Sequence, residues 1–187
     1  MTKKVTIVIS DTNKSLSLEW LVEYIDKSLF TLSFILINSH DRSTALTDFL
    51  ALRNITYFKI LHKSKISLPF SIIKCLRFLK KLRPDVIHTH LLDGNLIGLS
   101  AGRFLGIKKR LYTRHDSTIH HEYHKKGVLY DYLNNWNATH IIATYRNVYE
   151  VLTDLEGVSP KKVSIIYYGF DLNRFLNIED DTVVKSK

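Results

Sequence analysis

Pro84-Asp85-Val86-Ile87-His88-Thr89-His90, the run from Gly94 to Leu105 and then Arg110-Leu111-Tyr112-Thr113 decide the fold class. The first is a short, β-branched apolar run led in by a proline and ended by polar residues, as expected of a strand buried on both faces. The second has helical length, with Gly94, Gly98 and Gly102 four residues apart. Glycines at that spacing let a helix approach a sheet more closely than usual. The third is another short strand. Strand, helix and strand in this order form a crossover unit with parallel strands.

Outward from that unit the alternation repeats. Upstream, residues 4–10, 32–37 and 56–61 read as strands, with helices over about 16–28 and 44–53. A further helix is opened by Pro69 near its first turn and closed before Pro84. Downstream, residues 140–143 and 163–167 are strands, with helices at about 126–135 and 147–155. Seven strands alternate with six helices, and each connection is long enough for a right-handed crossover. The fold class is α/β: a doubly wound, Rossmann-like sheet of about seven mostly parallel strands, with helices on both faces. Residues 1–175 read as one domain. From 176 to 187 the apolar period is lost, as at the start of an interdomain linker or tail.

Composition agrees with a single core. The 187 residues are 45% hydrophobic with 7 Gly and 3 Pro, and a chain of this length buries roughly 70% of its unfolded surface. Cys75 is the lone cysteine, so no internal disulfide is available and a reducing, cytoplasmic location is expected. Cys75 sits among apolar neighbours and reads as packing. The apolar run after Met1 is shorter than the roughly 7–15 residues of a signal-peptide core. No window reaches the roughly 20 apolar residues of a spanning helix. Attachment, if any, is peripheral, on the inner face of the cytoplasmic membrane.

The net charge of +9 is localised. Between Phe49 and Pro84 there is no acidic residue, while Arg53, Lys59, Lys63, Lys65, Lys74, Arg77, Lys80, Lys81 and Arg83 supply nine cations. Elsewhere 18 basic residues balance 18 acidic ones. On the helix before Pro84, Ile72, Cys75, Leu76, Leu79 and Leu82 form an apolar stripe. Lys74, Arg77, Lys80 and Lys81 occupy the other side with Ile73 among them. A solvated charged face would normally carry Glu as well, so an anionic partner is expected, with a membrane surface favoured. Nucleic acid is disfavoured, because no helix-turn-helix or RNA-binding signature accompanies the charge.

In open α/β sheets ligands bind outside the carboxyl ends of the strands. Three polar loops fall there: Ser10 to Ser15, including Thr12, Asn13 and Lys14; His88 to Asn95, with His90, Asp93 and Asn95; and Thr113 to Ser117, with His115 and Asp116. Hydroxyls, amides and imidazoles suit a polyhydroxylated ligand. His90 and His115 each close an apolar run, where a side chain can enter the cleft; His88 lies deeper and reads as structural. His120, His121 and His124 invite a metal reading, but adjacent His120 and His121 point apart in regular structure, so solvated loop imidazoles are preferred and no metal is expected. There is no Gly-x-Gly-x-x-Gly, P-loop or Gly-x-Ser-x-Gly motif.

Pro84 to His90, Gly98, Leu105-Gly106-Ile107, Tyr112-Thr113-Arg114-His115-Asp116, and Ile165-Ile166-Tyr167-Tyr168-Gly169-Phe170-Asp171 with Phe175 form an ordered set. This set resembles the amino-terminal half of a family 4 retaining glycosyltransferase of the GT-B fold. The resemblance implies an acceptor-binding domain that shares a nucleotide-sugar with a carboxy-terminal domain absent from these 187 residues. It implies no cofactor beyond the nucleotide-sugar as co-substrate, and a glycan or lipid-linked sugar as acceptor, in cell-envelope polysaccharide or lipopolysaccharide synthesis. It places His115 beside the transferred sugar as the catalytic-site histidine and Thr12, Asn13 and Lys14 near the donor diphosphate. His90, Asp93, Asn95 and Asp116 would face the acceptor.

Two departures stand out: Ser17-Leu18-Glu19 replaces the Gly-Gly-Ala-Glu turn, and Tyr167-Tyr168-Gly169-Phe170-Asp171 replaces Pro-Asn-Gly-x-Asp. Without the second domain's donors to the leaving diphosphate, the chain by itself is expected not to transfer sugar. Two other readings stay open: a non-catalytic membrane- or polyanion-binding domain, and half of a sugar-nucleotide epimerase.

Overall fold

The computed structural model describes residues 2–172; the segment 176–187 and Phe175 lie outside them. The strands are β1 (Lys3–Ser10), β2 (Phe30–Asn38), β3 (Thr56–Leu61), β4 (Val86–His90), β5 (Lys109–Arg114), β6 (His140–Ala143) and β7 (Val163–Ile165). They form one sheet in the order β3-β2-β1-β4-β5-β6-β7, with every pair parallel. The helices are α1 (Leu16–Tyr24), α2 (Ala45–Leu52), α3 (Leu68–Leu82), α4 (Leu92–Phe104), α5 (Ile119–Tyr123), α6 (Lys125–Asn137) and α7 (Arg146–Glu150), the last continued by a π-helical turn over Val151–Leu155.

Differences from the sequence reading have local causes. Helix α1 stops at Tyr24 because Asp26 Oδ1 takes the Ser28 N–H and hydroxyl at 2.8 and 2.6 Å, drawing the chain into a turn. The extra helix, α5, is too short to show a hydrophobic period. Strand β7 ends early: Ile166 N–H reaches Ala143 O at 2.9 Å, and the chain then leaves the sheet. Arg83, in a left-handed conformation, returns its N–H to Leu79 O and ends α3 ahead of Pro84.

Right-handed crossovers fix which face each helix takes. Helices α1 and α2 lie on one face, where Leu18, Val22, Leu46 and Leu50 pack on Ile7, Ile9 and Phe34. Helices α3 and α4 take the other, with Cys75, Leu79, Ile97 and Ala101 against Val8, Ile35 and Ile87. The expected close approach of α4 is present: a Cβ on Gly98 would stand 2.7 Å from Thr89 Cγ2, and one on Gly102 would run into Ile87. Leu99, Tyr112, Ile141, Val148 and Leu152 extend this second layer toward β7.

Register carries the consequence. Ile7 pairs with His88 and Ile9 with His90, and these in turn pair with Leu111 and Thr113. Facing alternates along a strand, so His88, His90 and Thr113 share the α1–α2 face. Among the described residues no helix covers that face over β4 to β7. The segment 166–171 crosses it instead, running back to α1, where the Tyr24 hydroxyl donates to Asp171 Oδ2 at 2.8 Å and Phe170 meets Trp20 edge-on.

Candidate active site under the crossing segment

Strands β1, β4 and β5 are neighbours, so their carboxyl ends form one edge. Between α1, this edge and the crossing segment lies a cleft of about 620 Å³. Leu18, Trp20, Ile142 and Phe170 make it largely apolar, and His88, His90, Thr113 and His115 give it a polar floor. His88 Nε2 is 2.8 Å from Thr113 Oγ1. His90 Nδ1 is 3.4 Å from His115 Nε2, and His115 Nδ1 meets the Tyr168 hydroxyl. The His88 and His90 rings are 4.3 Å apart.

Burial sets the chemistry of this row. It pushes His88 down to about 4, with His115 acting in the same sense. Burial, then His88 and His115, hold His90 well below the usual imidazole range. His115 is lowered as well, burial outweighing the opposing Asp116 carboxylate. At neutral pH all three are uncharged, each with one N–H and one lone pair. Such groups bind hydroxyls without attracting a counterion. Two buried polar atoms bordering this cleft have no partner, Trp20 Nε1 and His90 Nε2.

The backbone around the row is constrained. Leu91, directly after His90, has φ 63° and ψ 163°, a conformation essentially confined to glycine that costs about 1–3 kcal/mol. Leu91 O caps α4 by accepting from Asn95 N–H at 2.8 Å. After β5, the Arg114 guanidinium donates to the carbonyls of Asp116 and Ser117 at 2.7 and 3.4 Å. Arg114 itself is buried between Asp131 and Glu156. Burial works against its charge, but the Asp131 hydrogen bond and both carboxylates overturn that and raise it above its ordinary value. His120 Nδ1 approaches Asp131 Oδ2 at 2.6 Å and His121 Nε2 approaches Glu156 Oε1 at 3.1 Å. The adjacent imidazoles diverge, as read from sequence, but they anchor α5 rather than face solvent.

Of the residues singled out from sequence, His90 and His115 meet, and Asp116 stands beside His115 with its side chain exposed. Asn95 and Asp116 border a small cavity next to His115, but Asn95 is buried with its Oδ1 taken by the Thr89 hydroxyl at 2.8 Å. Asp93 is drawn away toward His62, at 3.9 Å. On the first loop, Thr12 donates to Ser10 O, and Asn13 accepts from Ala45 and Leu46 N–H at the start of α2, leaving Lys14 exposed.

Lys74, Arg77, Lys80 and Lys81 are all exposed but divided. Arg77 and Lys80 border an apolar groove between α3 and α4, while Lys81 lies 5.1 Å above the Phe58 ring. His88 and Tyr168 enter the site although neither was selected. The i, i+2 spacing of His88 and His90 was the available signal for the first. A phenol in place of a motif asparagine was the signal for the second.

Comparison with known proteins places this geometry. The chain is 28% identical over 109 residues to the UDP-Gal:alpha-D-GlcNAc-diphosphoundecaprenol alpha-1,3-galactosyltransferase of Escherichia coli, covering 56% of this chain and 28% of that protein. Its fold matches the apo lipopolysaccharide outer core galactosyltransferase WaaB with a TM-score of 0.68 at 16% identity, over 89% of this chain and 46% of that one. It also matches the UDP-GlcNAc 2-epimerase of Methanocaldococcus jannaschii with a TM-score of 0.67 at 15% identity, over 87% and 45%. The chain thus spans less than half the length of these relatives. Glycosyltransferase Family 4 matches residues 21–174, and with the imidazole row inside that span, the chain belongs to this family.

Proposed function

We propose that this chain is the acceptor-binding half of a retaining glycosyltransferase that moves a sugar from a nucleotide-sugar to a glycan or lipid-linked acceptor in cell-envelope polysaccharide or lipopolysaccharide synthesis. The row of neutral imidazoles at the carboxyl ends of β4 and β5, inside a family-matched span, carries this reading. The galactosyltransferase relative supports a diphosphate-lipid-linked acceptor. His90 and His115 contact sugar hydroxyls, and the Arg114 clamp holds the loop that presents His115. The described residues lining the cleft include no Lys or Arg, which supports a second domain as the source of the donors to the leaving diphosphate. The nucleotide-sugar is the co-substrate and no cofactor is required. An epimerase half shares the fold match but not the family match.

The test is a titration of isotope-labelled chain with a prenyl-diphosphate-linked saccharide, compared with a nucleoside diphosphate alone. The saccharide should shift resonances of His90, His115 and Tyr168, and the nucleotide should leave them in place. Shifts confined to other residues, or none, remove the acceptor assignment.

A second observation favours work at a cytoplasmic membrane face. The α3–α4 groove is apolar, with Ile73 and Phe104 exposed by 46% and 77%, and Arg77 and Lys80 at its rim. Apolar side chains framed by cations suit an anionic bilayer, where each basic residue contributes about 1 kcal/mol. None of the described helices is long and apolar enough to cross the membrane. Co-sedimentation with anionic vesicles should fall at least tenfold in a Lys74/Arg77/Lys80/Lys81 quadruple alanine variant. Unchanged binding defeats membrane docking by this face.

A further inference from the structure

Tyr168 follows β7 on the crossing segment and has no assigned role. Its hydroxyl meets His115 Nδ1, and its ring lies within 19° of parallel to the imidazole with centroids 5.9 Å apart. On the other side of the same imidazole, Nε2 stands 3.4 Å from His90 Nδ1. His90 Nε2 ends the chain, buried and without a partner. Phenol and two imidazoles therefore form one file of hydrogen-bonding atoms, in which the placement of one proton dictates the others.

Two arrangements fill the file. In one, the phenol donates to His115 Nδ1, His115 donates from Nε2 to His90 Nδ1, and His90 keeps its proton on Nε2. In the other every donor and acceptor is exchanged. A phenol is a far stronger acid than a neutral imidazole N–H, and an imidazole lone pair is a far stronger base than a phenol oxygen. The first arrangement is selected on that ground. Burial and the nearby Tyr145 and Asp116 raise the Tyr168 hydroxyl, so it holds its proton throughout the neutral range.

The two links differ in strength. The His115–His90 separation of 3.4 Å exceeds the 2.7–3.2 Å range of a good N–H bond. An incoming oxygen at normal distance can take the Nε2 proton of His115 with little loss, while the phenol continues to hold Nδ1. We propose that Tyr168 is the positioning residue that fixes His115 as its Nε2–H tautomer, so that His115 presents a neutral hydrogen-bond donor to a substrate oxygen. This rests on the acceptor-site reading of His115. It extends that reading in one direction: a histidine already protonated on the substrate-facing nitrogen accepts no proton there, so His115 holds a hydroxyl or carbonyl oxygen and does not serve as general base. The substrate atom it recognises carries a lone pair.

Imidazole nitrogen shifts report tautomers without any sugar present, so this test is independent of the acceptor titration. In long-range proton–nitrogen spectra of the labelled 187-residue chain at pH 7.5, His115 should show a protonated Nε2 and a bare Nδ1, with a preference of at least about tenfold, the population equivalent of one buried hydrogen bond. Tyr168→Phe keeps the stacked ring and removes the donor, and should lower that preference by roughly threefold or more, toward the mixture of a free neutral imidazole. His90→Ala removes only the weak link and should leave the tautomer as in the parent. A protonated Nδ1 on His115 in the parent chain overturns the proposal whether or not the variants fold. So does a Tyr168→Phe spectrum identical to the parent's.

Discussion

Two groups of histidines fall between residues 88 and 121 and differ in what holds them. His90 is buried and His88 and His115 are half-buried, with hydroxyls and one another as hydrogen-bond partners and no carboxylate bonded to them among the described residues. His120 and His121 each end on a buried carboxylate, Asp131 and Glu156, that Arg114 also grips. In the first group burial lowers proton affinity and leaves hydrogen-bonding valence unspent, as at His90 Nε2. In the second the imidazoles complete a network with Asn135, which gives its amide to Glu156 Oε2 at 2.6 Å and accepts from Tyr112. The lesson is that histidine content says little, while the partner of each ring separates a cleft-facing group from an anchor.

The strongest way to break the contrast is through the anchor. Replacing Arg114 with Met leaves Asp131 and Glu156 as buried carboxylates without their shared cation, a situation that costs about 3–5 kcal/mol. It also releases the Asp116 and Ser117 carbonyls and thereby the loop that aims His115. Urea unfolding of Arg114→Met should show that loss as a lowered midpoint with an unchanged slope. A loss below about 1 kcal/mol would put this network among ordinary surface ion pairs and erase the distinction between the two groups.

This contrast also marks what could be read from residues alone. The strands follow from short apolar runs bounded by polar or turn residues, most plainly at β1, β2 and β4, where burial on both faces leaves little polar alternation to confuse the reading. The meeting of His90 with His115 follows from neighbouring strand ends. What escaped was contact between distant segments: Tyr168 reaches His115 across 53 residues, and Glu156 reaches Arg114 across 42. No period in the sequence records such pairs. The solvated-loop reading of His120 and His121 failed for the same reason, since their carboxylates lie 11 and 35 residues away. Asp93 and Asn95 illustrate the converse. Both stand at the right strand end, yet Asn95 is taken by the Thr89 hydroxyl six residues before it, and Asp93 is turned toward His62.

A smaller effect sharpens the contrast from the side of the cleft. The folded state holds His88 at about 4, against about 6.5 for a free imidazole, so folding opposes its protonation. As pH falls below about 6.5 the unfolded chain takes up a proton that the folded chain refuses, and stability declines until His88 itself titrates near 4. Between pH 7 and pH 5 this single group removes about 2 kcal/mol. His90, lowered in the same direction by burial, adds to the slope. Denaturant midpoints collected at half-unit steps should follow that decline. His88→Gln, which keeps an amide for Thr113 and cannot titrate, should flatten it by roughly half. An identical slope in the variant would mean that the row is hydrated enough to charge freely, and an imidazole that charges freely cannot be the neutral donor proposed for this cleft.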